Sequence, residues 1–235
     1  MNEKPSKIAI IGAMQKEIEI LKQALSNRQT HQFGAIQIDT GRYANKDIIL
    51  CLSGIGKVNA SIATSLAIEC FKPDCVINTG SAGGIGSGLK VGDVVIGATV
   101  AHHDVDVTAF GYDYGQVPAL PTRYHSSEQL LMTAQTAAQH FDNAQVKTGL
   151  IVSGDSFIHS KEQIHTIHHH FNDAQAVEME AASIAQTCHV LNTPFVIIRA
   201  ISDSADEKAD ISFEEFLTIA SKHSSQMVQA MIREI

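Results

Sequence analysis

Short runs of apolar residues recur along the chain, and most are separated by segments in which apolar residues follow a helical spacing. The runs with the length of buried strands are Ile8–Ile11, Ile48–Leu52, Val76–Ile77, Val94–Val100, Gly149–Val152, Ala176–Val177 and Phe195–Ile201. The segments with helical periodicity are Met14–Leu25, Val58–Phe71, Glu128–Phe141, Lys161–Phe171, Ala181–Leu191 and Phe213–Ile235. This alternation predicts an α/β domain with a largely parallel sheet flanked by helices.

Residues 34–52 depart from this alternation and indicate an antiparallel excursion, with turns near Thr40-Gly41 and Asn45–Asp47. The chain contains no internal repeat, linker or low-complexity tract, so we predict one domain spanning residues 1–235. Residues 1–7 are mostly polar, and we expect a flexible N-terminus there.

The composition limits the classes of partner. With 44% hydrophobic and 18% charged residues, the 235-residue chain has the composition of a globular protein. A formal net charge of −8 and the lack of a Lys/Arg run argue against nucleic acid or a membrane surface as partner. No apolar stretch is long enough to span a bilayer, so we expect a soluble protein. The four cysteines form no CxxC pair, which favours reduced thiols and a cytoplasmic location.

Two carboxylates within an apolar run are the most informative feature. Glu178 and Glu180 lie one residue apart in the segment 176–182. Burying an ionised carboxylate without a partner is costly, so such residues are usually kept because something binds them. A second cluster, Asp203, Asp206 and Glu207, follows the last apolar run. Together they predict an acidic pocket suited to hydroxyl groups or developing positive charge, although each carboxylate could instead cap the following helix.

Segments rich in glycine and other small residues follow several of the apolar runs. They would lie at the carboxyl ends of the predicted strands, where open α/β sheets bind ligands. The segment Gly80–Gly83 is not a nucleophile elbow, because Thr79 replaces the first glycine of that motif. Neither this segment nor Gly54–Asn59 completes a dinucleotide fingerprint, and Cys51 stands where a Walker loop needs glycine. We expect a tight loop that brings backbone N–H groups close to a small ligand, with simple turn formation as the alternative.

The histidines do not make a convincing metal site. His165 and His169 would share one helix face, but no carboxylate or cysteine joins them at ligand spacing. A solvated helix face is the better interpretation of this run, and we predict no metal. The pair His102-His103, next to Asp104 near a strand end, is more simply explained as buried, hydrogen-bonded histidine.

Two further residues have both a structural and a functional interpretation. Arg199 lies inside the apolar run Val196–Ile201, so it must be paired with nearby carboxylates. That pair could be purely structural or part of the site. Phe157 follows a strand end, where an aromatic ring belongs either to the core or to a ligand platform.

Several motifs occur in a characteristic order along the chain. They are Gly12-Ala-Met-x-x-Glu17, Ser53-Gly-Ile-Gly-Lys-Val58, Asn78-Thr-Gly-Ser-Ala-Gly83, Asp106-Val-Thr-Ala-Phe-Gly-Tyr112, Gly149-Leu-Ile-Val-Ser-Gly-Asp-Ser-Phe157, Val177-Glu-Met-Glu-Ala181 and Arg199-Ala-Ile-Ser-Asp203. From about Ile8 to the C-terminus the chain resembles the bacterial 5′-methylthioadenosine/S-adenosylhomocysteine nucleosidases. The resemblance implies the nucleoside phosphorylase fold, a single α/β domain around a mixed, partly barrel-like sheet, usually in a homodimer and without a metal or other cofactor.

The resemblance also implies a reaction, the hydrolysis of the N-ribosidic bond of these adenine thionucleosides. Asp203, held by Ser202, would protonate N7 of the departing adenine. Glu17 would bind and activate the attacking water, with Arg199 and Ser81 close by. Such a bond breaks with positive charge on the sugar and negative charge on the base, which suits carboxylates around the sugar and a proton donor at the base.

The remaining implied roles concern substrate binding. Glu180 would hold the ribose hydroxyls, with Glu178 and Met179 shaping the sugar pocket. Phe157 would stack on adenine while the backbone of Ile158 reads its edge. The alkylthio group would lie among Met14, Ile55 and Phe213 of this chain and, from the partner subunit, Val107 and Phe110, with Pro118 nearby.

Alternative functions stay open. A purine nucleoside phosphorylase needs a phosphate site, yet no arginine occurs between Arg42 and Arg123, where the glycine loops lie. A non-catalytic nucleoside-binding module would not need Glu17 and Asp203 together. A nucleosidase acting on aminofutalosine has the same requirements as the favoured reaction. Three segments depart from the commonest family pattern: Gln15-Lys16, residues 85–88 and Ala205-Asp206-Glu207, which is unusually acidic. They leave substrate preference and rate open.

Overall fold

Most strands and helices alternate along the chain. The computed structural model describes residues 4–142, 144–205 and 209–235, apart from the side chains of residues 210–212. The strands are β1 (Lys7–Gly12), β2 (Ser26–Phe33), β3 (Ile36–Tyr43), β4 (Lys46–Leu52), β5 (Cys75–Gly84), β6 (Val94–His102), β7 (Tyr124–His125), β8 (Val146–Ser153), β9 (Ala174–Glu178) and β10 (Phe195–Asp203). The helices are α1 (Gln15–Ala24), α2 (Lys57–Phe71), α3 (Glu128–Ala138), α4 (Lys161–His170), α5 (Ala181–Val190) and α6 (Ala209–Glu234), with a 3₁₀ turn at Thr108–Phe110.

The predicted elements all form. Each apolar run lies within a strand, and each periodic segment forms a helix whose ends differ from the prediction by a few residues. Two strands were not predicted, β2 and the two-residue β7. Strand β2 has the sequence SNRQTHQF and is mostly exposed, so it offers no apolar pattern to detect.

The turns in the N-terminal part of the sheet were predicted incompletely. The β3–β4 turn lies at Ala44-Asn45, where both residues have positive φ angles, close to the predicted turn at Asn45–Asp47. The predicted turn at Thr40-Gly41 is wrong, because both residues lie inside β3. Gly41 is small for a different reason: a Cβ atom there would lie 2.9 Å from the carbonyl oxygen of Ser26 on the paired strand.

The sheet is mixed and closes on itself. Strand β5 pairs with β10, β10 with β6, β6 with β8, β8 with β9, and β9 with β5, which makes a five-stranded barrel-like ring. Strands β1, β4, β3 and β2 extend the sheet outward from β5. The expected mixed, partly barrel-like sheet is confirmed. A largely parallel sheet is not what forms, because β10–β6, β5–β9 and the β2–β3–β4 meander are antiparallel.

Both faces of the central strands are covered, as in other α/β folds. Ala9 and Ile11 of β1 pack with residues of α2 and α5, whereas Ile8 and Ile10 pack with residues of α1, α3 and α6. Each fully buried Ile contributes about 1.5–3 kcal/mol through the apolar surface it removes from water. The strands are therefore a rigid base for the loops that follow them.

At the N-terminus, the backbone N–H groups of Ser6 and Lys7 donate hydrogen bonds to Asp74 Oδ2 at 2.7 and 2.9 Å. Residues 1–3 lie outside the described part of the chain. Over the residues that are described, no helix is at once long enough and apolar enough to cross a membrane.

Candidate active site

A cavity of about 280 Å³ opens beside the ends of several strands of the sheet. Its lining comes from the segments after β1, β4, β8 and β9, from the C-terminal parts of β5, β9 and β10, and from α1 and α6. The predicted site residues that line it are Met14, Glu17, Ile55, Ser81, Phe157, Ile158, Glu178, Met179, Glu180, Ser202, Asp203 and Phe213. Motifs spread over most of the chain therefore meet at one cavity.

The Glu17 carboxylate is fixed at the start of α1. Its Oε2 atom accepts hydrogen bonds from the backbone N–H groups of Ala13 (2.9 Å) and Met14 (3.0 Å). Its Oε1 atom accepts from Ser81, through the backbone N–H at 2.8 Å and the hydroxyl at 2.9 Å. The positive end of the helix dipole adds to these contacts. A buried carboxylate thus bridges the ends of β1 and β5 at the cavity wall.

Arg199 lies within β10 and is buried. Its Nη1 group donates to the carbonyl oxygen of Ser81 at 3.2 Å, and its Nη2 group donates to Asn78 Oδ1 at 2.8 Å. Nη2 also forms ion pairs with Glu178 and Glu180. Burial alone would lower the pKa of Arg199, but the surrounding carboxylates outweigh it and raise this pKa. The predicted pairing with carboxylates is confirmed: Arg199 does not line the cavity itself but binds two glutamates that do.

Glu178 caps a helix as well as pairing with Arg199. Its carboxylate accepts hydrogen bonds from the backbone N–H groups of Glu180 (3.1 Å) and Ala181 (2.9 Å), where α5 begins. The hydroxyl of Ser153 donates to the other oxygen. The capping interpretation is therefore confirmed for Glu178, whose carboxylate oxygens all have protein partners.

Glu180 has fewer partners than Glu178. Its Oε1 atom accepts from the backbone N–H of Gly56 at 3.0 Å, and its Oε2 atom lies 3.3 Å from Arg199 Nη2. Burial raises the pKa of Glu180: the opposing charge of Arg199 is outweighed, and the like charges of Glu178 and Glu17 add to the effect. Glu180 lines the cavity beside Arg199, so its carboxylate is placed to accept hydrogen bonds from a hydroxyl ligand.

Gly80 lets the two halves of this cluster approach each other. A Cβ atom at this position would lie 2.3 Å from Arg199 Nη1 and 2.7 Å from Glu17 Oε1. Real Cβ atoms do not come so close to either group, so any side chain here would push the arginine and the glutamate apart. The expected tight loop over Gly80–Gly83 is wrong, because these residues lie inside β5. Close packing of charged groups, rather than turn formation, explains Gly80.

Asp203 reaches the cavity through a β-bulge. Strand β10 pairs in parallel with β5, but the register shifts between Ile201 and Asp203, which leaves Ser202 as the extra residue. Ser202 and Asp203 consequently both line the cavity, which strict alternation along a strand would prevent. Asp203 Oδ2 accepts from the Ser202 hydroxyl at 2.8 Å, and Oδ1 accepts from the backbone N–H of Ala205 at 2.8 Å. Asp206 and Glu207 lie outside the described residues.

The apolar part of the cavity includes an aromatic pair. The rings of Phe157 and Phe213 meet edge to face, with centroids 5.9 Å apart. Phe157 is 39% exposed and lines the cavity, so its ring has a face available to a ligand. Ile158 is buried beside it, whereas Ile55 is half exposed. Acidic groups and an aromatic surface in one cavity suit a ligand with both hydroxyl groups and a flat ring.

Comparison with known proteins agrees with the motifs. A family model described as the phosphorylase superfamily matches residues 7–233. A 5′-methylthioadenosine/S-adenosylhomocysteine nucleosidase of Anoxybacillus flavithermus is 50% identical over 228 residues, covering 97% of this chain and 98% of that protein. The chain belongs to this nucleosidase family. The crystal structure of the Neisseria meningitidis member in complex with methylthio-immucillin-A is 58% identical, with a TM-score of 0.97 and coverage of 98% and 100% of the two chains.

A second named activity occurs among similar structures. The futalosine hydrolase of Helicobacter pylori is 36% identical to this chain, with a TM-score of 0.93 and coverage of 98% of both chains. Enzymes named for different substrates therefore share this fold. Substrate preference must depend on individual residues around the cavity.

Three residues that the family resemblance assigned to the site do not line the cavity: Arg199, which is bound to glutamates that do line it, and the pair Val107 and Phe110. Val107 and Phe110 do not line it in the single chain. Phe110 ends the 3₁₀ turn after β6 and is 81% exposed. In a nucleosidase of this family they were expected to act on the neighbouring subunit, so their place outside this chain's own cavity agrees with that expectation without testing it.

The histidine runs of this nucleosidase are separate from the cavity. His165 and His169 lie on exposed positions of α4, and no group of three His, Cys, Asp or Glu side chains among the described residues could hold a metal ion. His102 is buried and its Nε2 atom contacts Gln186 Oε1 at 2.9 Å. His103 is also buried, but its Nε2 atom has no hydrogen-bond partner. Burial lowers the pKa of both rings, which are therefore neutral at neutral pH.

Several contributors to the nucleosidase site were not predicted from the sequence. Asn78 and Ser153 hold Arg199 and Glu178 from behind, and the Gly56 N–H contacts Glu180. All three occur within recognised motifs, but their chemistry depends on partners that are distant along the chain. The lining residues that were not predicted are Ala13, Ala82, Gly83, Ser156 and Val177. Such small or apolar residues give no chemical signal of their own in a sequence.

Proposed function

We propose that this protein hydrolyses the N-ribosidic bond of 5′-methylthioadenosine and S-adenosylhomocysteine, releasing adenine and the corresponding thioribose. The observation that carries this function is the presence of Glu17, Glu180 and Asp203 on one cavity that also exposes an aromatic ring. The names of its relatives and the nucleoside analogue bound to the Neisseria meningitidis protein support the same substrate class. A nucleosidase of this kind needs a proton donor at the base and anionic groups at the sugar.

Asp203 acts first in the proposed reaction. It donates a proton to N7 of adenine as the bond to the sugar breaks, so the base leaves neutral. The Ser202 hydroxyl and the Ala205 N–H hold the carboxyl group in place. General acid catalysis of this kind contributes roughly 10²–10⁴-fold to the rate.

Glu17 binds the water that attacks the sugar. Three of its four hydrogen-bond donors are backbone N–H groups, which cannot turn away. The fourth donor is the Ser81 hydroxyl, which can rotate, so a water molecule can take its place on Oε1. Water held there transfers a proton to the carboxylate as it attacks the positively charged sugar.

The other lining residues bind the substrate. Glu180 holds the ribose hydroxyls, with Glu178 and Met179 forming the wall beside it. Phe157 stacks on adenine, and the backbone of Ile158 contacts the edge of the base. The alkylthio group lies against Met14, Ile55 and Phe213, and against Val107 and Phe110 of a neighbouring subunit.

Phosphate is a poor fit to this cavity. The guanidinium of Arg199, which is paired with lining glutamates, is already bound by them and by Asn78. An incoming phosphate would also meet Glu17 and Glu180, which repel an anion. Water is therefore a better nucleophile for this site than phosphate, which argues against the phosphorylase alternative.

A futalosine-type substrate is the second candidate. The similarity to a futalosine hydrolase favours it, since the two chains share the fold over nearly their whole length. Both substrates place a ribose next to a purine, so the same acid and water serve either reaction. A non-catalytic module is disfavoured, because mere binding gives no reason to place both Glu17 and Asp203 at the cavity.

The direct test is adenine release from methylthioadenosine, after dialysis against a chelator, in phosphate-free buffer. We expect full activity that neither phosphate nor divalent metal increases. Parallel assays with S-adenosylhomocysteine and aminofutalosine rank the substrates by kcat/KM. Activity that depends strongly on added phosphate would favour a phosphorylase, and dependence on metal would contradict the proposed chemistry.

We also propose that the protein is a homodimer in the cytoplasm. Apolar side chains are exposed at Phe110, at Val58 and Ile62 one turn apart on α2, and at Val190 on the adjacent α5. Clusters of exposed apolar residues often mark protein interfaces.

The cysteines support the cytoplasmic location. They are all free, and Cys51, Cys75 and Cys188 are buried, as expected in a reducing compartment.

We expect light scattering to give twice the 25.3 kDa mass of one chain. Replacing Phe110 with Ala should raise KM for methylthioadenosine, because this ring would complete the alkylthio pocket of the partner. Met132→Ala removes another exposed apolar side chain, on α3, and serves as the matched control. A single-chain mass with full activity at nanomolar concentration would refute the dimer.

A further inference from the structure

Lys57, Asp104 and Asp155 form a hydrogen-bonded group, here called the rim network, beside the cavity. The Lys57 ammonium donates to both oxygens of Asp104, at 2.6 and 2.8 Å. Asp104 Oδ2 also accepts from the backbone N–H of Asp155 at 3.0 Å. Asp155 Oδ1 in turn accepts from the backbone N–H of Lys57 at 2.8 Å, which closes the ring of contacts.

The rim network joins three separate loops. Lys57 is the first residue of α2 and follows the β4–α2 loop, Asp104 follows β6, and Asp155 follows β8. The side chains of Lys57 and Asp104 are 19% and 27% exposed, so solvent screens the pair only partly. Burial would raise the pKa of Asp104, but the Lys57 ammonium and the Asp155 N–H outweigh this and lower it, so Asp104 is charged at neutral pH.

Two of these loops, the one before α2 and the one after β8, carry groups assigned to substrate binding. The residue before Lys57 is Gly56, whose N–H holds Glu180 at 3.0 Å. The residues after Asp155 include Phe157 and Ile158, which line the cavity. Gly56 also fits closely against this network, because a Cβ atom there would lie 3.1 Å from Asp155 Oδ1. Moving the rim network would therefore move groups assigned to both the ribose and the adenine.

The two groups assigned to catalysis are held differently. Glu17 is fixed by Ala13, Met14 and Ser81. Asp203 is held by Ser202 and Ala205. None of these contacts includes a member of the rim network. A change in the network should consequently affect substrate binding much more than the chemical step.

We infer that Lys57, Asp104 and Asp155 are positioning residues, which set the positions of Glu180 and Phe157 for the ribose and the adenine. This inference rests on the proposed function, because it assumes that these two side chains bind a nucleoside. It assigns a role in substrate affinity to an ion pair that does not line the cavity. Neither Lys57 nor Asp104 needs to touch the substrate for this effect.

The test compares three lysine variants in a steady-state assay of adenine release. For Lys57→Met we expect KM for methylthioadenosine to rise about fivefold or more while kcat falls less than about twofold, the pattern of lost ground-state binding. Lys57→Arg keeps the charge on Asp104 and should restore KM to within about twofold of wild type. Lys72→Met is the matched control, since the side chain of Lys72, at the other end of α2, makes an exposed ion pair with Glu69.

Two further measurements separate positioning from general stability. Amide hydrogen exchange at Gly56 and Asp155 should be faster in Lys57→Met, whereas the melting temperature and the dimer mass should change little. Asp104→Asn should reproduce the KM effect from the other side of the pair, and it serves in place of Lys57→Met if that variant does not fold. A native KM in folded Lys57→Met or Asp104→Asn, or no rescue by Arg, would overturn the inference. Lack of adenine release by the wild type would instead overturn the proposed function, and the exchange rates would still test the network.

Discussion

Replacing Asp203 with Asn is expected to lower kcat for methylthioadenosine by at least about 100-fold while the protein folds normally. Asparagine keeps the shape of the side chain but has no acidic proton to give to the base. In the native protein the Ala205 N–H donates a hydrogen bond to Asp203 Oδ1 at 2.8 Å, and the oxygen of the asparagine can still accept it. Its amide group would face the Ser202 hydroxyl, which can turn its own hydrogen toward the carbonyl oxygen of Ala82, 3.3 Å away. The contacts with Ala205 and Ser202 can therefore persist in the variant.

Adenine release and thermal unfolding of this variant should be measured together. Asp173→Asn is the matched control, because Asp173 is half exposed and pairs with Arg123 on the surface. We expect that control to retain native turnover. If Asp203→Asn keeps activity within about tenfold of wild type, the assignment of Asp203 as general acid is wrong, since the loss of such a group should have a larger effect.

The second large effect is expected for Glu17→Gln. Turnover should fall by about 100-fold or more, because an amide cannot accept the proton of the attacking water. Binding of a nucleoside analogue should stay close to native, since the water interacts only weakly with bound substrate. Each carboxylate oxygen of Glu17 accepts a hydrogen bond from at least one backbone N–H group. The NH₂ group of the glutamine side chain must therefore face one of these donors. We therefore also expect a loss of stability of about 1–3 kcal/mol.

Glu180→Gln should behave differently from Glu17→Gln. A charge-assisted hydrogen bond to a hydroxyl contributes about 1.5–3 kcal/mol, so this variant should lose both ligand affinity and turnover. Its oxygen can still accept from the Gly56 N–H, which preserves the start of α2. Ligand dissociation constants and kcat for both variants distinguish the roles, with the exposed Glu69→Gln as control. Weaker binding by Glu17→Gln than by Glu180→Gln would reverse the assignment.

Much of the fold could be predicted because its apolar pattern is strong. The run in β10 and the periodic segment of α6 are long and buried, and local pattern was enough to place them. Strand β2 could not be found in this way, since its residues are polar and it forms only because β3 pairs with it. The direction of each strand is likewise set by its partner, which is why a largely parallel sheet was expected and a mixed one forms.

The candidate site was predicted in part from chemistry and in part from resemblance. Glu178 and Glu180 predicted an acidic pocket because carboxylates are rare in apolar runs. The sequence did not show that Glu178 caps α5 and binds Ser153, whereas Glu180 has fewer partners and lines the same cavity. The two residues have the same side chain and nearly the same position in the chain, so only their three-dimensional partners separate their roles.

The sequence by itself determined the order and type of most elements, the acidic character of the site and the family of the chain. These properties depend on residue type, spacing and motif order, which are local. The tertiary structure decided that β5 and β10 lie side by side, that a bulge at Ser202 turns Asp203 to the cavity, and that Gly80 admits both Arg199 and Glu17. It also brought together Lys57, Asp104 and Asp155. Such contacts join residues far apart in the chain, and their distances depend on closure of the sheet.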